Sequence, residues 1–358
     1  MAYSTINKPS LHMNTVLYSG DGTSNRGITG TGFQPDLVVN KGRTFSAGAY
    51  NWYTFDSVRT LGARINWNTS AAEDDKSAEF ISFDSDGFTV TNNAGSLNMN
   101  GSGVTYANFC WKADNTSGSS NTDGDITSTV ATNTTAGFSI VKYTGNGNAS
   151  TQTVGHGLGS KCKLVILKNL TDAESWRVYH DTVSASAGGN LFLNSTSSLD
   201  TSDPARITAT STSTFTLSGY TSTYDAVNKS GSNYIAYCFS EVKGYSNFGS
   251  YEGNGNADGT FIYTGFKPAF FLIKNADGAN GWVLWDSKRE TYNPNNRHLF
   301  PHDSSAESTS GRTIDFLSNG VKIRTTDGAT NTNANTFIYM CFAEQTLVGT
   351  NKVCATAR

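Results

Sequence analysis

One pattern is written three times along this chain, in register, and self-similarity of this kind fixes the architecture before any local element is considered. The copies open on YSGDGT at Tyr18, YTGNGN at Tyr143 and YEGNGN at Tyr251. Each opening leads to an apolar run, GFQPDLVVNK from Gly32, GLGSKCKLVILKN from Gly157 and GFKPAFFLIKN from Gly265. A Trp segment comes next, WYTFD at Trp52, WRVYHD at Trp176 and WVLWD at Trp282, and then a closing run, YANFCWK, YIAYCFSE and FIYMCFAE. Tyr-to-Trp spacings are 34, 33 and 31 residues, and Trp-to-Cys spacings are 58, 62 and 59. The chain of 358 residues therefore reads as three units of about 100 residues each.

The opening motif has the look of a phosphate-binding glycine loop. A dinucleotide fingerprint needs a third glycine leading into a helix, and that position holds Asn25, Ser150 and Asp258. A P-loop needs Gly-Lys-Ser/Thr, which is absent after each copy. Each copy continues instead into Gly, Asn and Thr and then β-type apolar residues, so the motif reads as a strand ending in a turn that glycine permits.

Each unit reads as all-β. The apolar runs are short, β-branched or aromatic, and bounded by turn residues such as Asp86-Gly87, Asp277-Gly278 and Asn319-Gly320. The best candidate for helix is one or two turns over 70–80. Six to eight strands per unit predict an antiparallel β-sandwich, jelly-roll or concanavalin-A-like. The expected order is an arm at 1–13, sandwiches at 14–114, 138–243 and 244–345, and a tail at 346–358. A low-complexity Ser/Thr/Asn/Gly stretch at 115–137 reads as a flexible linker. The short joint at Gly244 predicts that the second and third units pack as a rigid pair. In the closing run both faces are apolar: Tyr106, Asn108 and Cys110 on one side, Ala107, Phe109 and Trp111 on the other. A half-exposed strand would carry one polar face. This strand is expected to be central, its outer face covered by a loop, another copy or another chain.

Charge adds exclusions. Net charge is −3, 15% of residues are charged, and no Lys/Arg cluster marks a nucleic-acid surface. No apolar run reaches membrane-span length, and the N-terminal sequence lacks a signal-peptide pattern. Of five cysteines, Cys110, Cys238 and Cys341 share one repeat position and are expected reduced and buried in separate cores; Cys162 and Cys354 have no counterparts.

Candidate chemistry is sparse. His298 and His302 have the spacing of a zinc helix, but Pro301 opposes a helix and position 299 is Leu. His180-Asp181 are strand neighbours pointing to opposite faces, expected at a surface or edge. Asp84-Ser-Asp86-Gly87 reads as a hairpin turn rather than a calcium loop. The Trp and the acid after it in each copy, Trp52 and Asp56, Trp176 and Asp181, Trp282 and Asp286, are the candidate glycan contacts. Core filling and turn capping are the stronger readings of the same residues. A glycosidase would need a second recurrent carboxylate across a cleft, and none recurs in all three copies. Catalytic, cofactor-binding and metal-ligating residues are therefore expected to be absent.

The opening MAYSTINKPS, the tandem YxGxG…GFxPD…DSDGF units, the junction AYCFSEVKGYSNFGSYEGNGNADGTFIYTGFKPAFFLIKN and the terminal ATAR are similar to a family of tandem-repeat virion structural proteins of tailed bacteriophages, marine ones especially. The resemblance covers nearly the whole chain and brings no catalytic residues. It departs at Lys352-Val-Cys354 and at Leu158-Gly-Ser160. It implies a non-enzymatic virion component, in a tail-fibre, knob or capsid-decoration role, made in the host cytoplasm. It implies other virion proteins and further copies of itself as partners. A carbohydrate-binding adhesin for host surface glycans is the alternative, and a glycan-cleaving tailspike the third reading.

Overall fold

The computed structural model describes residues 4–44, 50–92, 99–220, 225–347 and 355–356. It is mostly β, with six antiparallel sheets and few, short helices among the described residues, an arrangement consistent with β-sandwiches. The sheets come in like pairs. In every copy the larger sheet holds four strands in one order. An entry strand (Met13–Ser19, Phe138–Thr144, Ser246–Glu252) pairs with a closing strand (Thr105–Trp111, Asn233–Ser240, Thr336–Thr346). The closing strand pairs with the apolar strand (Leu37–Gly42, Cys162–Asn169, Phe266–Asn275), which pairs with the Trp strand (Tyr53–Asp56, Arg177–His180, Val283–Asp286). A three-stranded sheet faces each large one, ending in the hairpins Phe80–Asp84/Gly87–Val90, Ile207–Thr210/Thr214–Leu217 and Ile314–Leu317/Gly320–Ile323. In the first and third hairpins the turn is two residues, as the Asp-Gly and Asn-Gly signals predict.

The repeated opening motif is a backbone clasp. Its Tyr stacks on the first aromatic of the closing strand, Tyr18 on Tyr106, Tyr143 on Tyr234 and Tyr251 on Phe337, with centroids 4.8, 4.9 and 5.0 Å apart. The same Tyr donates its hydroxyl to the carbonyl of Met99, Val227 or Thr330. The next residue in each case is a buried asparagine, Asn100, Asn228 or Asn331, which holds the turn. Its side-chain oxygen accepts from the backbone N–H of Asp21, Asn146 or Asn254 at 3.1, 3.0 and 2.9 Å. Its amide donates back to the side chain of that same residue at 2.8, 3.0 and 3.0 Å. The first glycine of the motif has no room for a side chain: a Cβ would stand 2.0–2.2 Å from the carbonyl oxygen of Gly101, Lys229 or Thr332. The second has φ of 76°, 68° and 64°, which glycine adopts without steric cost. The motif thus ties the first strand of a copy to the segment just before its last.

The two faces of the closing strands go to different cores. Tyr106 and Cys110, Tyr234 and Cys238, and Phe337 and Cys341 each point into a separate cluster between a large sheet and its three-stranded partner. The opposite faces, Ala107, Phe109 and Trp111, then Ile235, Tyr237 and Phe239, then Ile338, Met340 and Phe342, all enter one common cluster. The cover expected over the outer face is therefore the other copies. At its centre Phe342 meets Trp111, Phe239 and Phe270 edge-on at 5.9–6.0 Å.

Several expectations give way to this arrangement. The 115–137 segment is not a free linker. Ser119–Asn121 and Ser128–Asn133 are strands that extend the second large sheet, because STVATN supplies β-branched residues that pair with Phe138–Thr144. The first copy has no independent reach, since it shares the common core with the other two. The leading arm docks on its own chain: Ile6 and Met13 are buried in that core, and Pro9–Leu11 forms a short 3-10 turn. Residues 70–80 hold no helix; Asp74–Asp75 pairs with Ala63–Arg64 instead, fixed by the Arg64–Asp74 ion pair at 2.5 Å. Helix appears where none is expected, at Asp181–Ala187, with His180 as its N-cap and Gly188 at φ 75° ending it. Most of the 346–358 tail, Cys354 included, lies outside the described residues.

Cys110, Cys162, Cys238 and Cys341 are buried free thiols, and burial raises the pKa of Cys110, Cys238 and Cys341. The expected outcome of iodoacetamide labelling, read by peptide mass, is negligible modification of these three in the folded protein and full modification after denaturation. Rapid native labelling at any of them would contradict the packing.

Candidate functional site: the junction of the three copies

The recurrent Trp residues converge on the common core. Trp52, Trp176 and Trp282 each stand immediately before the Trp strand and are 0%, 0% and 3% exposed. Each donates its indole Nε1 to the backbone of a different copy. Trp52 reaches Phe300 O and Asp303 O in the third copy at 2.9 and 3.1 Å. Trp282 reaches Phe192 O in the second copy at 2.8 Å, and Trp176 reaches Asn66 O in the first at 2.9 Å. The donations run first to third, third to second, second to first, and so close a ring. Rings buried in this way offer no face for a sugar, so the glycan role considered for them gives way to the core-filling one.

The acid after the Trp caps the turn beyond it. Asp56 Oδ1 accepts from Val58 N and Arg59 N at 3.2 and 3.0 Å, and Asp286 Oδ1 from Lys288 N and Arg289 N at 2.9 and 2.8 Å. Each carboxylate also pairs with the Arg three residues on, Asp56 with Arg59 and Asp286 with Arg289, both pairs buried. The Arg then bonds a second acid, Arg59 to Glu73 at 2.8 Å and Arg289 to Glu307 at 3.0 Å. Pairing of this kind satisfies charges that would be costly to bury alone. Glu307 ties two copies together, because Arg43 of the first clasps it with two hydrogen bonds of 2.9 Å. Burial alone would raise its carboxyl pKa; Arg43 and Arg289 hold it down at about 2.

In the second copy the equivalent of Asp56 and Asp286 is His180, not Asp181. His180 pairs opposite Leu164 as Asp56 does opposite Leu37 and Asp286 opposite Phe270. Asp181 is out of register by one and forms ion pairs with Lys161 and Lys163 at 2.6 and 2.7 Å. His180 is fully buried rather than at a surface, its Nε2 3.2 Å from Tyr339 O of the third copy. The partner Arg is also replaced, by Val183. Across the junction, Tyr237 of the second copy donates its hydroxyl to Asp56 Oδ2 at 2.8 Å.

A further recurrent residue escapes a reading of the sequence alone. Lys41, Lys168 and Lys274 occupy one position on the apolar strand, four residues after Leu37, Leu164 and Phe270, and all are buried. Each ammonium is held by backbone carbonyls: Tyr50 and Ser304 for Lys41, Asn169 and Asp172 for Lys168, Asn275 and Gly278 for Lys274. Burial lowers their pKa values to about 7, 8 and 7. The signal lies in LVVNK, KLVILKN and FFLIKN, a lysine at or near the end of a largely apolar run.

His298 and His302 share no helix, as Pro301 predicts: His298 is bridged to Ser308, and Pro301 and His302 lie in a turn. Among the described residues no cluster of His, Cys, Asp or Glu is placed to hold a metal ion, and no helix is long and apolar enough to cross a membrane.

Fold and junction together define a class: a β-rich chain of three sequence copies closed on a common core through its own recurrent side chains. The family is that described as a domain of unknown function, DUF7483; its model matches residues 8–346, and the chain belongs to it. No curated protein and no solved structure matches the chain.

The junction makes two measurable demands. Trp282→Phe keeps an aromatic ring but removes the indole N–H and strands the Phe192 carbonyl, for an expected loss of about 1–3 kcal/mol in urea unfolding. Trp282→Ala should cost about 3–5 kcal/mol, and a loss below about 1 kcal/mol would contradict its place in the core. The second concerns pH. Burial holds His180 and His298 at about 4 instead of 6.5. Folding therefore excludes a proton that the unfolded chain accepts. Their contribution is complete above pH 6.5 and lost as pH falls from 6.5 through 4, on the order of 3 kcal/mol for each histidine. Urea midpoints measured from pH 7 to 4 should fall, and the fall should flatten in H180Q/H298Q.

Proposed function

We propose that this chain is a non-enzymatic structural component of a bacteriophage virion, displayed on the particle as a tail fibre, knob or capsid decoration. In this reading it is three tandem β-sandwiches of the jelly-roll or concanavalin-A-like kind, and its partners are other virion proteins and further copies of itself. One observation carries the reading. The side chains that recur in all three copies, the clasp Tyr and Asn, the Trp and the buried Lys, are engaged with the chain's own backbone and core. What is repeated is architecture. The likeness of MAYSTINKPS and of the junction stretch to phage virion proteins gives that architecture its setting.

A second reading, attachment to host surface glycans, is favoured by an open pocket beside Phe300 in the third copy. Both are tested on the phage whose genome encodes the chain. Antibodies raised against the purified protein should decorate intact particles in electron micrographs, and density-banded particles should contain it by mass spectrometry. Abundance in the lysate with absence from banded particles would overturn the structural reading. New reducing ends released from host polysaccharide by the purified protein would overturn its non-enzymatic part.

A further inference from the structure

The pocket beside Phe300 lies where the third copy receives Trp52 of the first, and it is lined by Gly281, Val283, Phe300, His302, Asp303, Ser305 and Arg312. Its volume of ≈300 Å³ is at the lower end of small-ligand pockets, about 300–1,000 Å³. That is room for a single ring rather than a chain of them.

The wall side chains are held by contacts with their own chain. Arg312 donates Nε to Asp327 Oδ1 at 2.8 Å, and its guanidinium lies 5.2 Å from the Phe300 ring centroid. Asp327 is itself fixed as the cap of the short helix Gly328–Asn331, accepting from Ala329 N at 2.9 Å. Nη1 and Nη2 of Arg312 have no hydrogen-bond partner among the described residues, and the side chain is 23% exposed. The His302 imidazole lies directly over Gly281, where a Cβ would come within 1.9 Å of the ring. Asp303 is anchored at Oδ1 by the N–H of Ser305 at 2.8 Å, and the Ser305 residue is exposed. The pocket thus presents a planar two-donor cation, an aromatic ring, an imidazole, a hydroxyl and a carboxylate.

We propose that this pocket binds an acidic monosaccharide unit, a hexuronic acid, with its carboxylate on the free edge of Arg312 and its ring beside Phe300. The proposal rests on the glycan-attachment reading and names the ligand class for it. Guanidinium and carboxylate match as two parallel charge-assisted hydrogen bonds. Asp303 disfavours a bare anion in the same space but accepts from sugar hydroxyls, as Ser305 also can, while the His302 Nε2 stands 3.5 Å from Asp303 Oδ2 and helps to place that carboxylate. A ligand needs both an acid and hydroxyl groups to use all these partners, which a uronic acid has and a simple anion lacks. The glycan site is therefore displaced from the recurrent Trp residues to the indole-receiving segment of the third copy, whose side chains differ from those of the other two.

The test is calorimetric titration of the full chain with methyl β-glucuronide, methyl β-glucoside and sodium sulfate. The glucuronide should bind at least tenfold more tightly than the glucoside or sulfate. R312Q should weaken it at least tenfold, and S305A, at an exposed position, should weaken it less. R312K keeps the charge without the fork and should recover little of the binding. Native Trp fluorescence and unchanged urea midpoints establish that the variants fold. Equal binding of glucuronide and glucoside would overturn the acidic class while leaving glycan attachment standing. Sulfate binding as tight as glucuronide would reduce the site to a general anion pocket and overturn the proposal. Binding of no sugar would remove both the proposal and the attachment reading, with the particle-labelling result unaffected.

Discussion

The structure depends on a strand with two apolar faces. Each closing strand fills its own cluster with Tyr or Phe and Cys on one side and sends Phe109, Tyr237 or Met340 to the other. Exposing that second face would leave several large side chains in water, each worth about 1.5–3 kcal/mol when buried. Three such faces can cover one another if they meet around a common centre, and they do. The cover is therefore supplied within one chain, and the arm through Ile6 and Met13 completes it. A partner is not needed for this surface, so any assembly with other chains must use a different one.

A core shared by three sheets must also dispose of the polar ends of the strands that enter it. The first and third copies do so with an Asp that caps a turn, a buried Arg and a second acid. The second substitutes a neutral His and a Val, and takes its inter-copy contact from Tyr339 O. Exchange of both members together is the tolerable change, because removing one alone would leave an unpaired buried charge. The ring of indole donations survives this divergence, since it needs only a carbonyl in the receiving copy.

Much of this is legible in the chain. The threefold spacing, the β class, the turn reading of the glycine motif and the burial of Cys110, Cys238 and Cys341 all come from residue pattern, because each reflects local backbone chemistry or period-two alternation. The two-faced closing strand even announces that a cover is needed. What sequence does not carry is which surface supplies it, since Trp52 and Phe300 meet across 248 residues. Composition misleads at 115–137, where Ser and Thr suggest solvation although β-branched Thr and Val pair well on a sheet. Matching by residue type misleads at Asp181: acid aligns with acid, while the strand register puts His180 in that place.

Repetition within a chain separates two kinds of constraint. A residue found at one position in all three copies answers to something all three do, and here that is folding and closing on the others. The receiving segments that accept the indoles differ: Asn66 ends a short strand, Phe192 ends another, and Phe300 opens onto Pro301, His302 and Asp303. Only the backbone carbonyl is required of them, so their side chains are released from the common task. A ring, an imidazole, a carboxylate and an arginine gathered at one of these three places are not demanded by the threefold architecture. Architecture common to all copies explains Trp52, Lys41 and Asn100; it leaves Phe300, His302 and Arg312 to be explained by what the third copy does alone.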